Sequence, residues 1–181
     1  MTKDTSVLRL LLLRHAKSDW GDPGLEDIDR PLSNRGRNAA RAMGAFLEEN
    51  HLRPDLILCS TAQRTRETLS FLLPNFKQEA EIRLLQSLYD QSGADYIQTI
   101  RAEGGATKTL MLIGHNPAIE DTAHTLYMGD QPDLRADMEL KYPSGALTVY
   151  DCPIDAWKSL TSESCHLEAF IKPRSLQDKQ S

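Results

Sequence analysis

Continuous apolar runs, rather than alternating ones, dominate the hydrophobic pattern of this chain. The first run covers residues 10–13, and two further runs lie within the segments 55–59 and 109–113, each after one polar residue. A short apolar run that is bounded by polar residues is typical of a strand buried on both faces, as in a parallel sheet. The pattern therefore predicts three central strands that run parallel to one another.

Apolar residues at helical spacing lie between and beside these strands, which predicts an α/β fold. The predicted helices are 34–50 with Ser33 as N-cap, a segment from Ser60 or Thr61 to the residue before Pro74, 91–101, and a segment that begins at Pro117. Shorter strands are predicted at 82–85, 146–150 and 166–171, and a turn or short helix at 155–160. Residues 129–143 are polar and predicted to be irregular, and we expect flexible tails at 1–6 and 175–181.

Composition limits the possible partners. A chain of 181 residues with 40% apolar and 26% charged residues fits one globular domain. The net charge of −5 gives no indication of a nucleic-acid partner, so any anion site must be local. Arg9 interrupts the first apolar run and Arg14 ends it, and no other segment approaches membrane-spanning length, so no membrane association is expected.

The cysteines and histidines give no indication of a disulfide framework or a metal site. Cys59, Cys152 and Cys165 are an odd number and lack C-x-x-C spacing, so neither disulfides nor a zinc ribbon is indicated. No H-E-x-x-H or similar ligand cluster occurs, and we expect no metal. A reduced, cytoplasmic protein is the resulting prediction.

The three apolar runs share one feature, because each leads into a cation or an imidazole. Arg14 and His15 end the first run, Arg64 lies in the helix start after the second, and His115 follows the third. The ends of parallel strands meet at one edge of a sheet, where open α/β sheets bind their ligands. Two guanidiniums and two imidazoles there would suit a tetrahedral dianion. Arg14-His15 alone is equally consistent with an ordinary strand end, and the recurrence at three strands favours a site.

Several neighbouring residues leave alternatives open. The long acidic connection 19–29 lies beside the expected site, although solvation alone explains most of its carboxylates. Arg30 could turn toward the site or form a structural ion pair with a nearby Asp. Arg64 and Arg66 are two positions apart, so only one can face a given pocket. We expect Arg64 in the pocket, because it lies in the first helical turn, and Arg66 on the surface.

Four segments, in order along the chain, resemble motifs of the histidine phosphatase superfamily. They are Arg-His-Ala at 14–16, Ser-Thr-Ala-Gln-Arg-Thr-Arg-Glu-Thr at 60–68, and Gly-His-Asn-Pro at 114–117. The fourth, Arg-Pro-Leu-Ser-x-x-Gly at 30–36, resembles the small SixA-type phosphohistidine phosphatases. The resemblance implies a phosphoglycerate mutase-like fold. That fold would be a single domain over 1–181, with about five to six mostly parallel strands and helices on both faces.

The resemblance also implies roles for four residues. His15 would carry a covalent phosphohistidine intermediate, His115 would be the second catalytic residue, and Arg14 and Arg64 would bind phosphate. No metal or organic cofactor is implied. Ala16 stands where the family usually has Gly.

A general acid has no clear counterpart in this sequence. Asp90, Asp19, Asp27 and Asp29 are weak candidates. An alkoxide leaving group benefits from a positioned acid, whereas an imidazole leaving group titrates near neutrality itself. The missing acid therefore favours cleavage of a P–N bond over an alkyl P–O bond.

The resulting functional hypothesis is a phosphatase that removes phosphate from phosphohistidine of signalling or phosphotransfer proteins. Neutral His15 would attack phosphorus while its other ring nitrogen donates to a carbonyl or carboxylate, and nearby guanidiniums would lower its pKa. One alternative is a phosphatase of small phosphoesters, such as sugar phosphates or nucleotides. An alternative from another class is a non-catalytic, phosphate-binding regulatory module.

Overall fold

Six strands form one mixed sheet in the computed structural model, which describes residues 6–90 and 95–177. They are β1 Leu8–Arg14, β2 Leu56–Ser60, β3 Glu81–Leu85, β4 Thr109–Gly114, β5 Leu147–Cys152 and β6 His166–Ile171. Their order across the sheet is β3-β2-β4-β1-β5-β6. The first four of these are mutually parallel, and β5 is antiparallel to both of its neighbours. The predicted α/β fold with a mostly parallel sheet is confirmed.

Helices cover both faces of the sheet. They are α1 Asn34–Glu49, α2 Gln63–Leu72, α3 Tyr96–Glu103, α4 Ala118–Leu126, α5 Pro132–Leu140 and α6 Pro173–Gln177. Side chains of a strand alternate between its two faces, so β1 contributes to two cores. Leu11 packs in one core with Met43 of α1, and Leu12 packs in the other with Ile119 of α4. Helices on both faces were expected, and this arrangement confirms them.

The central strand β1 determines where the residues at its carboxyl end lie. Residues 10–13 are all leucines with at most 1% of their surface exposed, and full burial of a Leu side chain contributes about 1.5–3 kcal/mol. The parallel register with β4 places Arg14 opposite Gly114. The His15 N–H then donates to the Gly114 carbonyl at 3.1 Å. The two residues that follow the strands, His15 and His115, are therefore brought side by side.

The start of α1 is attached to the chain that leaves β1. Ser33 caps the helix as predicted, because its hydroxyl accepts from the Gly36 N–H at 3.0 Å. The Ser33 N–H donates to the Lys17 carbonyl at 2.9 Å. A Cβ at position 36 would overlap that same carbonyl oxygen. Glycine at position 36 thus allows α1 to approach the segment that carries His15.

Two predictions about helices are wrong. Residues 129–143 are not irregular, since they contain α5. Its one fully buried side chain, Met138, packs against the core, and Pro132 occupies the first helical turn, where proline is tolerated. The predicted caps of α2 are also wrong, because Ser60 completes β2 and Ala62 occupies the N-cap position without a side-chain hydrogen bond.

The remaining segment boundaries shift by a few residues. The predicted helix 91–101 begins at Tyr96 with Asp95 as its cap, and residues 91–94 lie outside the described part of the chain. The predicted tail 175–181 starts too early, because α6 continues to Gln177 and buries Leu176 against the α1 side of the sheet. Residues 1–5 and 178–181 are not among the described residues.

A disulfide joins Cys152 and Cys165, which corrects the prediction of none. Cys152 ends β5 and Cys165 immediately precedes its antiparallel neighbour β6, so their Cα atoms lie 4.4 Å apart. That proximity results from strand pairing, which cysteine spacing alone does not reveal. Cys59 is free and buried. No helix in the described ranges is long and apolar enough to cross a membrane, and a cytoplasmic location stays a prediction.

Replacing Gly36 by Ala is expected to destabilise the protein. Ala normally stabilises a helix relative to Gly by about 1 kcal/mol. Here the added methyl group overlaps the Lys17 carbonyl, and overpacking of this kind costs about 1–3 kcal/mol. Urea unfolding should therefore give a lower free energy of unfolding for Gly36→Ala than for the wild type. Arg35→Ala, at an exposed position of the same helix, should change it little. A more stable Gly36→Ala variant would contradict this packing argument.

Candidate active site

A cleft of about 830 Å³ opens at the carboxyl ends of the central strands. Arg14, His15, Arg64 and His115, the four residues predicted from sequence, all line it. The structure thus brings together residues from the ends of β1 and β4 and from the first turn of α2. Further lining residues are Lys17, Ser18, Trp20, Asp27, Arg30, Tyr89, Asp90, Asn116 and Ser144.

His15 has the tautomer that a nucleophile requires. Its Nδ1 lies 2.7 Å from the Ala16 carbonyl oxygen. A carbonyl only accepts, so Nδ1 carries the proton and Nε2 keeps its lone pair. Burial is the main cause that lowers the pKa of His15 to about 3; the hydrogen bond to the Ala16 carbonyl opposes this shift, and the charges of Arg64 and Arg14 add to it. The ring is therefore neutral at physiological pH. Burial lowers its pKa more than the guanidiniums of Arg14 and Arg64 do, although the guanidiniums were the expected cause.

His115 lies against His15, with 5.3 Å between the ring centroids. Its Nε2 is 2.8 Å from the Ser60 hydroxyl, which itself accepts from the Ala62 N–H at 3.3 Å. The Ser60 proton is then available to Nε2, which leaves the His115 proton on Nδ1. Burial and the charge of Arg64 lower the pKa of His115 to about 3, so this ring is also neutral.

The Arg14 guanidinium is held from one side only. Its Nη1 donates to the Tyr142 carbonyl at 2.8 Å. Asn116, which also lines the cleft, donates to the same carbonyl at 3.4 Å and to Glu120 at 2.9 Å. The Arg14 Nε is buried and has no partner among the described residues. One edge of this guanidinium is therefore anchored, and its Nε is left without a partner in the described chain.

Arg64 is anchored by the connection 19–29. Its Nη1 donates to the Asp27 backbone carbonyl at 2.7 Å, and its Nη2 donates to the Asp27 carboxylate at 3.1 Å. Burial leaves Arg64 only 3% exposed and lowers its pKa, although the Asp27 charge opposes that shift. As with Arg14, the Nε is buried and has no partner within the described chain.

Buried polar atoms without partners concentrate at the cleft. In the described ranges, buried side-chain nitrogen or oxygen atoms that lack a hydrogen bond belong to five residues, and four of these line the cleft: Arg14, Arg64 and His115 with a nitrogen each, and Asn116 with its acceptor Oδ1. An unsatisfied buried donor costs about 1–3 kcal/mol, and more if it is charged. A tetrahedral oxyanion would supply acceptors to the two guanidiniums and to His115 Nδ1. The arrangement is that of an anion-binding site.

Arg30 satisfies both interpretations that the sequence left open. It lines the cleft and is 8% exposed, and it also forms an ion pair with Asp27. Its Nη1 donates to the Ser18 hydroxyl at 2.6 Å, and its guanidinium carbon lies 3.6 Å from the centroid of the Trp20 ring. Arg66, by contrast, is exposed on the surface as predicted.

Sequence reasoning missed the roles of Ser60 and Tyr89 at the site. Ser60 was assigned to a helix cap, whereas its hydroxyl contacts His115. The Tyr89 ring lies edge-on to the His115 ring, with 5.8 Å between the ring centroids. Its hydroxyl donates to Asp27 at 3.0 Å. Ser60 opens the motif at 60–68, but a single sequence does not reveal that its hydroxyl contacts a histidine 55 positions away, and Tyr89 belongs to no motif with a recognisable spacing.

The four candidate acids differ in position. Asp19 and Asp29 are not among the described residues that line the cleft, whereas Asp27 and Asp90 are. Partial burial raises the pKa of Asp27, but hydrogen bonds from Arg30 and Tyr89 and the charge of Arg64 outweigh it and hold that pKa below its usual range. Asp27 is therefore ionised and has no proton to donate. Asp90 accepts from Gln86 at 3.2 Å.

Metal binding has no structural basis in residues 6–90 and 95–177. No group of three or more His, Cys, Asp or Glu side chains there is arranged to hold a metal ion. The chemistry that the cleft offers consists of two neutral imidazoles among fixed guanidiniums.

A neutral imidazole beside an anion-binding site indicates the class of the protein, and comparison with known proteins agrees. The model of the histidine phosphatase superfamily (branch 1) matches residues 10–125. This chain belongs to that superfamily.

Individual relatives place the chain more closely within it. An uncharacterized protein of Mycobacterium leprae is 33% identical over 166 residues, which are 90% of this chain and 100% of the relative. The crystal structure of a proposed phosphohistidine phosphatase SixA from Agrobacterium tumefaciens superposes with a TM-score of 0.76 and 31% identity, over 92% of this chain and 98% of that one. A second proposed SixA, from Nakamurella multipartitia, gives a TM-score of 0.76 and 28% identity, over 92% and 96%. The similarity to these two structures confirms the predicted resemblance to the SixA-type branch.

The depressed pKa of His15 is expected to make stability depend on pH. The folded protein leaves His15 neutral down to about pH 3, whereas the unfolded chain binds a proton near pH 6.5. Between these values the unfolded state holds more protons, so the free energy of unfolding falls as the pH is lowered. From pH 7.5 to pH 5, His15 should contribute a loss of about 2 kcal/mol.

Urea unfolding of His15→Asn at both pH values checks this expectation. The variant should lose less stability than the wild type on acidification. His51→Asn is the matched control, because His51 is exposed and has φ 55°, a conformation that Asn tolerates. Equal pH dependence in the wild type and His15→Asn would show that His15 is not neutralised by burial.

Proposed function

We propose that this protein is a hydrolase that removes the phosphoryl group from phosphohistidine in proteins, through a covalent intermediate on His15. The observation that carries the proposal is the orientation of the His15 ring. Its Nδ1 proton is donated to the Ala16 carbonyl, which leaves an uncharged Nε2 beside the unpartnered donors of Arg14, Arg64 and His115.

In the first step, the His15 Nε2 lone pair forms a bond to phosphorus, and the bond from phosphorus to the leaving nitrogen breaks. The other ring nitrogen of the leaving imidazole takes a proton from solvent, so that the ring departs as neutral imidazole. Arg14, Arg64 and His115 donate hydrogen bonds to the equatorial oxygens of the phosphoryl group and balance their negative charge during the transfer. The Ala16 carbonyl stabilises the positive charge that develops on the His15 ring, since it remains hydrogen-bonded to Nδ1.

In the second step, water attacks phosphorus, the bond to His15 Nε2 breaks, and the lone pair returns to the ring. Water gives up a proton to the solvent, and inorganic phosphate leaves the cleft. Every group that these two reaction steps need is supplied by the described residues that line the cleft and by water. No step requires a cofactor.

The state of Asp27 supports phosphohistidine as the substrate. An alkoxide leaving group needs a proton from a nearby acid. Asp27 is the candidate acid that contacts the cleft arginines, and it is ionised. An imidazole leaving group does not depend on such an acid, because its own nitrogens titrate near neutrality. Similarity to the proposed phosphohistidine phosphatase of Agrobacterium tumefaciens supports the same assignment.

Phosphorylated signalling proteins, such as phosphotransfer domains, are the proposed partners. The cleft is open and about 830 Å³ in volume, which suits a side chain that is presented on a protein surface. A cytoplasmic location belongs to the same proposal.

Covalent labelling tests the nucleophile. Brief incubation with a ³²P-labelled phosphohistidine protein, followed by quenching in base, should leave acid-labile label on His15. His15→Asn should take up no label, and its rate of hydrolysis should fall on the order of 10³-fold or more. His51→Asn is the control and should behave as the wild type. Full activity of His15→Asn would refute the mechanism.

A substrate panel tests the leaving group. The wild type should hydrolyse a phosphohistidine protein with a far higher kcat/KM than sugar phosphates, nucleotides or p-nitrophenyl phosphate. Preference for a sugar phosphate or nucleotide would assign the protein to small phosphoesters instead. Tight phosphate binding with no turnover of any member would indicate a regulatory module.

A further inference from the structure

The Asp27 carboxylate accepts hydrogen bonds from three residues of the cleft. Oδ1 accepts from Arg30 Nε at 3.2 Å and from Arg30 Nη2 at 3.0 Å. Oδ2 accepts from Arg64 Nη2 at 3.1 Å and from the Tyr89 hydroxyl at 3.0 Å. One carboxylate thus bridges two guanidiniums that face the cleft.

This bridge is unusual in its position. Asp27 lies in the 3-10 turn Asp27–Asp29 of the connection between β1 and α1, and its side chain is 52% exposed. Arg30 and Arg64, by contrast, are 8% and 3% exposed. Among the described carboxylates, Asp27 alone forms ion pairs with arginines that line the cleft. The exposed partner is therefore the carboxylate, and the buried partners are the cations.

The charges of the cleft match a dianion only if Asp27 is counted. Four cations and two carboxylates line it, and both histidines are neutral. The net charge is thus +2, equal and opposite to that of a phosphate dianion. Without the Asp27 charge, the cleft would carry an excess of positive charge over the product, and release of phosphate would be slower.

We propose that Asp27 is a resident counter-anion, which competes with the phosphoryl group for Arg30 and Arg64 and so weakens the binding of inorganic phosphate. Asp27 is a positioning residue here, because it acts through the two arginines rather than on the reacting atoms. The inference rests on the phosphoryl site of the proposed function, but it is independent of whether phosphohistidine is the substrate.

A purely structural role for Asp27 would change the affinity for anions in the opposite direction. If Asp27 served only to hold the arginines in place, its loss would loosen them and weaken anion binding. If it competes with the anion, its neutralisation should tighten binding. Loosened arginines would weaken binding and removal of a competitor would tighten it, so the direction of the change separates the two roles.

Calorimetric titration with inorganic phosphate and with orthovanadate, at one ionic strength, measures this direction. Asp27→Asn keeps an acceptor oxygen and removes the charge, and it should bind both anions on the order of tenfold more tightly than the wild type. Asp27→Ala should shift affinity in the same direction by a smaller factor. Product inhibition by phosphate should strengthen in parallel.

Asp29→Asn is the matched control. Asp29 lies in the same turn, is exposed, and loses the same charge on substitution, so its affinities should stay within about twofold of the wild type, as screening by salt and solvent predicts. Unchanged or weaker binding by both Asp27 variants would refute the proposed role of Asp27 and leave the phosphoryl site of the proposed function untouched. Failure of the wild type to bind either anion would refute the phosphoryl site of the proposed function, and this inference with it.

Discussion

The parallel pairing of β1 with β4 is the constraint on which the site depends. Its register sets Arg14 beside Gly114, so the two chains leave the sheet together and deliver His15 and His115 with ring centroids 5.3 Å apart. A slip of one residue would turn every side chain of β1 to the opposite face. Because both faces are buried, the leucines at 10–13 do not by themselves exclude that slip, and the polar residues at the strand end help to specify the register.

Burial has two opposing effects at this site. It keeps both imidazoles neutral, which the nucleophile requires, and it disfavours the charged form of Arg14 and Arg64. The same burial leaves guanidinium and imidazole donors without partners among the described residues, at a cost to stability. Natural proteins retain such unfavourable groups at functional sites. The rest of the sheet, with its apolar strands, must offset this cost.

The sequence allowed prediction of features that depend on local pattern. The central strands, helix α1 with its Ser33 cap, and the four residues Arg14, His15, Arg64 and His115 follow from periodicity and from motif order. Features that depend on distant contacts were missed. The Cys152–Cys165 bond requires knowledge of the β5–β6 pairing, α5 buries a single Met fully, and Asp27 meets Arg64 across 37 positions of sequence.

Asp27 connects the two questions that the sequence left unanswered, namely the role of Arg30 and the identity of the acid. The carboxylate that engages Arg30 is ionised at neutral pH and has no proton to donate, because the guanidiniums that bind it hold its pKa below the usual range. A cleft in which this carboxylate is ionised balances the charge of a phosphate dianion but gives no help to an alkoxide. This favours the proposed phosphohistidine substrate, because an imidazole nitrogen titrates near neutral pH and does not depend on Asp27 for its proton.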